Sequence, residues 1–469
     1  MSDYSDVTTH GIRPASRTVR ALPSNRYAVT RVDVRRLFGR YDYTLPGDAD
    51  RHTDLSRALI LYGGNGSGKT TILKIVFDLL SAADDRGHRT RLFETPFAYV
   101  RVTLADGTTV TASRPDGSVE GPFQMELARD GTVTASAAFL PRDQRSPEAD
   151  RGWQRFVEAL SKVDLDVYFL SDDRRVESDK LPREEEQRLT YRFSAANFER
   201  GEAASLFGGT DARADELKRA IDRMVGWLRQ QTLSAANIGD ANVNTIYADI
   251  VRRISASPRA EDPAASQESL SALESRIARL AHRSEKFARY GLVSPFGGEE
   301  LLTALRGATD TTHRVVAHVL QPHLDSLQAR FDALESIQRL MATLETSINS
   351  FYTDKQLRID LRTGMRVATP DGTVLRPDML SSGERQLMLL LCETVYARER
   401  ATIFIIDEPE LSLNVNWQRR LVDALLQCAE GSAVQFMLAT HSIELLATHE
   451  DHVVTLTPQT AEKIPLPMA

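Results

Sequence analysis

One stretch of eight residues constrains the fold of this chain more than any other feature: Gly63-Gly64-Asn65-Gly66-Ser67-Gly68-Lys69-Thr70. It fits the pattern G-x-x-x-x-G-K-S/T and lies between an apolar segment, residues 59–62, and a segment with helical periodicity, residues 69–81. Glycines let successive backbone N–H groups surround a phosphate, and the helix N-terminus adds a positive dipole. The stretch and Thr71 are therefore predicted to bind a nucleotide. Lys69 would contact the β- and γ-phosphates as a catalytic residue, and the Thr70 hydroxyl would hold Mg²⁺.

A second segment supplies the carboxylates that such a site requires. Residues 403–406 read Ile-Phe-Ile-Ile, which is typical of a buried strand, and Asp407 and Glu408 follow directly. The last residues of a buried parallel strand emerge at the carboxyl edge of the sheet, where a phosphate-binding loop also lies. We expect Asp407 to bind Mg²⁺ directly or through water and Glu408 to act as the general base on the attacking water. Capping of the next helix is the alternative interpretation of these two carboxylates.

Three later segments complete a recognisable order. Residues 380–386 read Leu-Ser-Ser-Gly-Glu-Arg-Gln, residues 409–414 read Pro-Glu-Leu-Ser-Leu-Asn, and residues 439–442 read Ala-Thr-His-Ser. With the phosphate-binding stretch and the Asp-Glu pair, they resemble the signature motif, the D-loop and the switch histidine of ABC-type ATPases. Each short match is weak alone, but the order in which they occur makes the resemblance strong.

The resemblance implies a shared active site. Ser382 and the Gly383 amide, at a helix N-terminus, would present donors to an anion. In ABC-type ATPases that anion is the γ-phosphate held by a second subunit, and Glu384 belongs to the same nucleotide-binding motif. His441 would contact the γ-phosphate as a catalytic residue. The resemblance thus implies a homo-oligomer, at least a dimer, joined through ATPase heads, with ATP and Mg²⁺ as cofactors.

The spacing of the motifs predicts the domain organisation. Lys69 and Ser382 are 313 residues apart, which is far more than in transporter ATPase subunits and closer to SMC-like and RecF-like ATPases. The predicted fold class is α/β, a P-loop NTPase of the ABC-type head kind split by a mainly helical insertion. The predicted parts are a tail (1–26), the head (27–183 with 353–469) and the insertion (184–352). The apolar spacing over 312–351 fits a coiled-coil seam or, as we favour, packing inside a compact helical lobe.

A closer resemblance is to the OLD-like group of ATPases in bacterial phage-defence systems. It rests on four segments, residues 38–41, 61–73, 167–174 and 407–413, and covers both α/β ends of the chain. Many relatives have a glutamine after the strand at 167–170, whereas Asp172 and Asp173 stand here. The sequence leaves open whether either carboxylate replaces the glutamine contact to Mg²⁺.

The motifs also bear on what the ATPase controls. The chain has no recognisable nuclease or Ser-His-Asp motif, and the 28 residues after His441 are too few for the nuclease domain of OLD nucleases. The resemblance therefore implies a separate nuclease or toxin effector, as in the PARIS and Septu systems, with DNA or a phage protein as trigger. The alternative is a RecF- or SMC-like DNA repair or chromosome ATPase, mildly favoured by eight Arg against three Asp in residues 1–40. A nucleotide-gated scaffold with little hydrolysis is the third possibility.

Composition sets outer limits on these hypotheses. The net charge of −7 gives the chain as a whole no attraction for nucleic acid, so any DNA contact has to be local. Two cysteines cannot form a disulfide framework or a four-cysteine zinc site. No apolar run approaches the roughly 18 residues of a membrane span, and the polar start of the chain lacks a secretory signal. We expect a cytoplasmic protein with no membrane partner.

Overall fold

The structure is a computed structural model that describes most of the chain. The described residues are 25–47, 50, 54–140, 146–174, 176–178, 212–240, 270–306, 310–398, 402–457 and 459–460. The predicted tail, apart from residues 25 and 26, and the predicted boundary at 183/184 lie outside these residues. Within them, no helix has the length and apolar character needed to cross a membrane.

The described chain alternates strands and helices, with most of the strands towards its two ends. The strands are β1 (Val29–Leu37), β2 (Tyr41–Leu45), β3 (Ala58–Tyr62), β4 (Tyr99–Leu104), β5 (Thr108–Ser113), β6 (Phe123–Arg129), β7 (Thr132–Phe139), β8 (Val167–Leu170), β9 (Val176–Ser178), β10 (Gln356–Asp360), β11 (Gly364–Ala368), β12 (Val374–Leu375), β13 (Ile403–Asp407), β14 (Gln435–Thr440), β15 (Val453–Thr455) and β16 (Gln459–Thr460). The helices are α1 (Lys69–Leu80), α2 (His88–Glu94), α3 (Pro147–Ser161), α4 (Ala212–Asp240), α5 (Leu270–Arg289), α6 (Gly298–Arg306), α7 (Asp310–Phe351), α8 (Ser382–Ala397), α9 (Val415–Cys428) and α10 (Ile443–Leu446).

A six-stranded sheet forms the centre of the fold, in the order β15-β3-β14-β13-β8-β9. All its neighbouring pairs are parallel except β8 and β9, which pair antiparallel. Parallel strands place their carboxyl ends at one edge, so the loops after β3, β8, β13 and β14 meet there. This edge gathers the segments that carry the predicted phosphate loop, the Asp172-Asp173 pair, the Asp-Glu pair and the switch histidine.

The two faces of this sheet bury two different hydrophobic clusters. Along β3, Leu59 and Leu61 belong to one cluster and Ala58 and Ile60 to the other, because successive strand residues point to opposite faces. The Leu59 face packs against α1, α3 and a seven-stranded antiparallel sheet with the order β16-β2-β1-β4-β5-β6-β7. The Ile60 face packs against α8, α9 and the helices α4 to α7.

The helices of the predicted insertion share this second cluster with the sheet. The long helix α7 packs against α4, α5, α8 and α9, and its Phe331 stacks on Phe287 of α5 with ring centroids 5.2 Å apart. A small sheet, β10-β11-β12, follows α7. The described helices α4 to α7 thus pack on the same face of the central sheet as α8, the helix that carries the signature segment.

These observations confirm the predicted fold class, an α/β P-loop fold with mainly helical material between its two α/β ends. From their residue patterns, segments 41–45 and 58–62 are predicted to be strands, and they coincide with β2 and β3. The apolar spacing predicts a helix over residues 384–398; in the structure this is α8, which begins two residues earlier, at Ser382, because Ser381 caps it. Helix α3 and strand β6 were not predicted from the sequence.

Candidate functional site

The phosphate loop, residues 63–70, adopts a backbone that only glycine accommodates at its tightest point. Gly68 has φ +89, and a Cβ there would lie 2.8 Å from Leu37 Cδ2, so a side chain would be both strained and blocked. Gly66 also has a positive φ, +78. Gly64, Asn65 and Gly66 are exposed, and Lys69 opens helix α1 directly behind them. The loop thus presents an open backbone surface at the N-terminus of a helix, which is where phosphates bind.

Tyr43 of β2 contacts this loop through its hydroxyl group. The sequence did not predict this contact. The Tyr43 hydroxyl donates a hydrogen bond of 2.7 Å to the Ser67 carbonyl oxygen, and its ring is buried. Burial, helped by nearby Tyr41, raises the pKa of Tyr43 to about 12, so the hydroxyl keeps its proton and its donor role. No local sequence pattern points to this partner.

Lys69 and Thr70 lie where the motif predicts. The Lys69 ammonium is buried and donates to the carbonyl oxygens of Gly63 at 2.7 Å and Gly64 at 3.2 Å. The Thr70 hydroxyl donates to Asp407 Oδ1 at 3.1 Å, across 337 residues of sequence. Thr71, one residue further along α1, is half-buried.

Asp407 is a buried carboxylate with one oxygen to spare. It is 1% exposed, and its Oδ2 has no hydrogen-bond partner among the described residues. Burial raises the pKa of Asp407 to about 6; the Thr70 hydrogen bond opposes this shift, and the charges of Asp172 and Glu408 add to it. A buried oxygen without a donor, beside a hydroxyl and other carboxylates, suits a hard cation. The residues present therefore fit Mg²⁺ held by Thr70 and Asp407.

Glu408 and His441 lie side by side. The Glu408 backbone has φ +48, an uncommon left-handed conformation for a glutamate, and its N–H donates to the Ala439 carbonyl oxygen at 3.0 Å. His441 Nδ1 lies 3.5 Å from Glu408 Oε1 and 3.6 Å from Glu410 Oε1. The His441 side chain is 46% exposed, so the pair faces solvent at the edge where the phosphate loop opens.

The two aspartates at the glutamine position differ in their surroundings. The Asp173 carboxylate accepts a hydrogen bond from the Ser171 hydroxyl. Asp172 is close enough to Asp407 for its charge to raise the pKa of Asp407. The charge of Asp172 therefore acts on the predicted Mg²⁺ ligand.

The signature segment is built on a helix cap. The Ser381 side chain accepts from the Glu384 backbone N–H, and Glu384 Oε2 accepts from the Ser381 N–H, which is a capping box. Lys355 donates to Glu384 Oε1 at 2.6 Å. One oxygen of Glu384 thus caps the helix, and the other accepts from Lys355. The contact of Glu384 with a nucleotide remains a prediction. Ser382, by contrast, is exposed.

Gly383 joins the signature segment to the D-loop. A Cβ on Gly383 would lie 2.7 Å from the Ser412 carbonyl oxygen, so only glycine permits this approach. Ser412 itself has φ +67. Ser382 and Gly383 therefore depend on the conformation of the loop that follows the Asp407-Glu408 pair.

The predicted site residues thus form two groups. Lys69, Thr70, Asp407, Glu408 and His441 converge at the carboxyl edge of the central sheet. Ser382 and Gly383 are held against the D-loop. Two supporting residues, Tyr43 and Glu410, become visible only from their contacts.

The chain is similar to several known proteins. A family model described as "AAA domain, putative AbiEii toxin, Type IV TA system" matches residues 59–447. Among curated proteins, the chain is 28% identical to UvrABC system protein A of Deinococcus radiodurans over 148 residues, 31% of this chain and 12% of that protein. It is 30% identical to the lipoprotein-releasing system ATP-binding protein LolD of Ruegeria pomeroyi over 152 residues, 32% of this chain and 62% of LolD. The chain thus spans less than two thirds of either relative.

A solved Smc head domain from Pyrococcus furiosus, with an extended coiled coil and bound to the C-terminal domain of ScpA, is also similar. It is 12% identical, with a TM-score of 0.35, over 89% of this chain and 91% of that one. The family match spans both α/β ends and every predicted motif. The chain therefore belongs to the family described as AAA domain, putative AbiEii toxin, Type IV TA system, and is an ATP-binding ATPase of the AAA/ABC type.

Proposed function

We propose that this ATPase is Mg²⁺-dependent and that its heads dimerise around ATP. The observation that carries the metal proposal is the hydrogen bond from Thr70 to Asp407 Oδ1, with Asp407 Oδ2 buried and unpartnered among the described residues. When bound, Mg²⁺ would neutralise charge on the β- and γ-phosphates. We infer that Asp172 contributes at the glutamine position, since its charge acts on Asp407.

Three residues of the chain would each have a separate role in hydrolysis. Lys69, now bonded to two loop carbonyl oxygens, would transfer its donors to the phosphates. Glu408 would accept a proton from the attacking water, and its left-handed backbone sets the direction of its carboxylate. His441, half-exposed beside Glu408, would contact the γ-phosphate.

The exposed signature supports the dimer. Ser382 faces solvent at the start of α8, and Gly383 packs closely against the D-loop. A second chain would use these donors on the γ-phosphate bound by the first chain, so each dimer would hold two composite sites. A twofold arrangement of this kind uses the same surface on both subunits.

Mixing two inactive variants tests the composite site. Lys69→Ala removes the phosphate contact, and Ser382→Arg blocks the exposed signature surface without touching the core. In a mixed dimer one site keeps both intact elements, so an equimolar mixture should regain about a quarter of wild-type turnover by random pairing. Each variant alone, at the same total concentration, is the control. No regained turnover, with both variants folded, would contradict the composite site.

We further propose that the ATPase is the sensor or regulatory subunit of an antiphage defence system that controls a separate nuclease or toxin. The support is the set of ATPase motifs without a nuclease motif, and a family description that includes a putative toxin of a type IV TA system. The trigger would be DNA or a phage protein. Copurification with the product of the adjacent gene, and loss of phage protection when that gene is deleted, would be expected. Protection by this chain alone would contradict a separate effector.

The alternative, a RecF- or SMC-like ATPase acting on DNA, is favoured by the arginine excess in residues 1–40. It predicts duplex binding that ATP stimulates and that weakens steeply with salt, because phosphate contacts release counterions. Filter binding at several salt concentrations decides this point. Absence of binding at low salt counts against it.

A further inference from the structure

Glu410 is a buried carboxylate with no role in the chemistry described so far. It is only 4% exposed. Its Oε1 accepts hydrogen bonds from the Thr440 hydroxyl at 2.5 Å and from the His441 backbone N–H at 3.1 Å. Its Oε2 is buried without a hydrogen-bond partner among the described residues. All polar contacts recorded for this side chain therefore pass through one oxygen, and both lead to the His441 segment.

These contacts connect two loops that leave neighbouring parallel strands. Glu410 follows β13 by three residues, and Thr440 is the last residue of β14. The Thr440 hydroxyl also accepts from the Ser442 N–H at 3.0 Å, so three hydrogen bonds shape the backbone around His441. On the other side, the Leu411 N–H donates to the Glu408 carbonyl oxygen at 3.2 Å. One side chain thus ties the turn that carries Glu408 to the turn that carries His441.

The geometry at His441 depends on this connection. Its Nδ1 lies 3.5 Å from Glu408 Oε1 and 3.6 Å from Glu410 Oε1. The His441 ring is itself half-exposed, so core packing does not hold it. Without the Glu410 oxygen, the buried Thr440 hydroxyl and the His441 N–H would lose their acceptor, and the turn would rearrange to find another.

We propose that Glu410 is a positioning residue for hydrolysis: it holds His441 in a fixed position beside Glu408. The inference rests on the catalytic roles proposed for His441 and Glu408. Glu410 acts as a hydrogen-bond acceptor and touches neither the phosphates nor the attacking water. Its neighbour Glu408 acts as a base, so the two glutamates respond differently to the same substitution.

Two substitutions of Glu410 distinguish a hydrogen-bond acceptor from a catalytic base. Glu410→Gln keeps an oxygen acceptor at the Oε1 position, so turnover should stay within about threefold of wild type. Glu410→Ala removes the acceptor, and kcat should fall at least about tenfold with the KM for ATP unchanged, because misplacement by about 1 Å is that costly. Thr440→Val, which removes the main donor, should lower kcat in the same way. Glu450→Ala, at an exposed glutamate, is the matched control.

A double variant provides the decisive comparison. If Glu410 acts through His441, Glu410→Ala combined with His441→Ala is no slower than His441→Ala alone. Additive losses, or equal losses for Glu410→Gln and Glu410→Ala, overturn the proposal. If Glu410→Ala does not fold, Glu410→Gln and Thr440→Val still test the proposal. A wild-type kcat in Thr440→Val would contradict the positioning role of Glu410. Should His441→Ala itself turn over normally, the proposed role of His441 fails instead, which is a separate result.

Discussion

The two halves of the proposed ATP site are built in different ways. The half made by the phosphate loop, Asp407, Glu408 and His441 is assembled by side-chain hydrogen bonds and close charges at one edge of the parallel sheet. The signature half is assembled by a helix cap and by close backbone packing of Gly383 on the D-loop, and it leaves Ser382 exposed. In our proposal, the first half binds the nucleotide within one chain. The second half acts, in our proposal, only on a partner.

The largest expected effect breaks chemistry in the first half alone. Glu408→Gln should lower kcat about a thousandfold, within the range that a general base supplies, about 10²–10⁴. ATP binding should be unchanged, and the ATP-bound dimer should accumulate on size-exclusion chromatography. Glu430→Gln, at an exposed glutamate, is the control. Equal turnover in Glu408→Gln and wild type would refute its role as base.

The next effect concerns stability behind the signature half. Arg223 of α4 forms an ion pair with Glu393 of α8, which is fully buried, so the signature helix is tied to the middle helices. Arg223→Ala would leave a buried charge alone and should cost about 3 kcal/mol of unfolding free energy. Arg219→Ala, one turn away, removes an exposed arginine whose partner Glu216 is 14% exposed and keeps its contact with Arg223, so it should cost less than about 1 kcal/mol in the same urea titration. Equal stability of both variants would show that the pair does not anchor α8.

Loss of Lys69 tests nucleotide affinity in the first half. Lys69→Ala removes charge-assisted donors and should weaken ATP binding about a hundredfold, ~2.7 kcal/mol. Isothermal titration of the isolated variant measures this. Lys162→Ala, at an exposed lysine after α3, should bind ATP like wild type. Unchanged affinity in Lys69→Ala would place the phosphates elsewhere.

The smallest expected effect is that of Gly383→Ala, which tests whether the two halves of the site act separately. Gly383→Ala would push the signature away from the Ser412 carbonyl oxygen and should lower kcat about tenfold without changing ATP affinity in the monomer. Gly152→Ala, in an open position of α3, should leave kcat unchanged. If Gly383→Ala weakened ATP binding to the monomer, the two halves would not be separable.

Sequence reasoning succeeded where structure is local. The phosphate loop, β2, β3 and the Asp-Glu strand follow from glycine positions and apolar runs that encode their own backbone conformation. It missed α3, whose buried residues, Trp153, Phe156 and Leu160, are few among charged neighbours. No role was predicted for Tyr43, or for Glu410 within the D-loop segment, because a buried hydroxyl and a buried carboxylate resemble ordinary strand and loop residues until their partners are known.

The sequence by itself determined the chemical groups of this protein: a glycine-rich loop with Lys69 and Thr70, a strand ending in two carboxylates, and a signature segment that contains Ser382. It predicts that Thr70 and Asp407 share one site, but only the tertiary structure decided that their side chains hydrogen-bond directly across 337 residues and that Glu410 is buried against Thr440. The reason is physical. Backbone conformation and periodicity are set by near neighbours, whereas side-chain contacts between distant segments depend on how the strands pair and the helices pack.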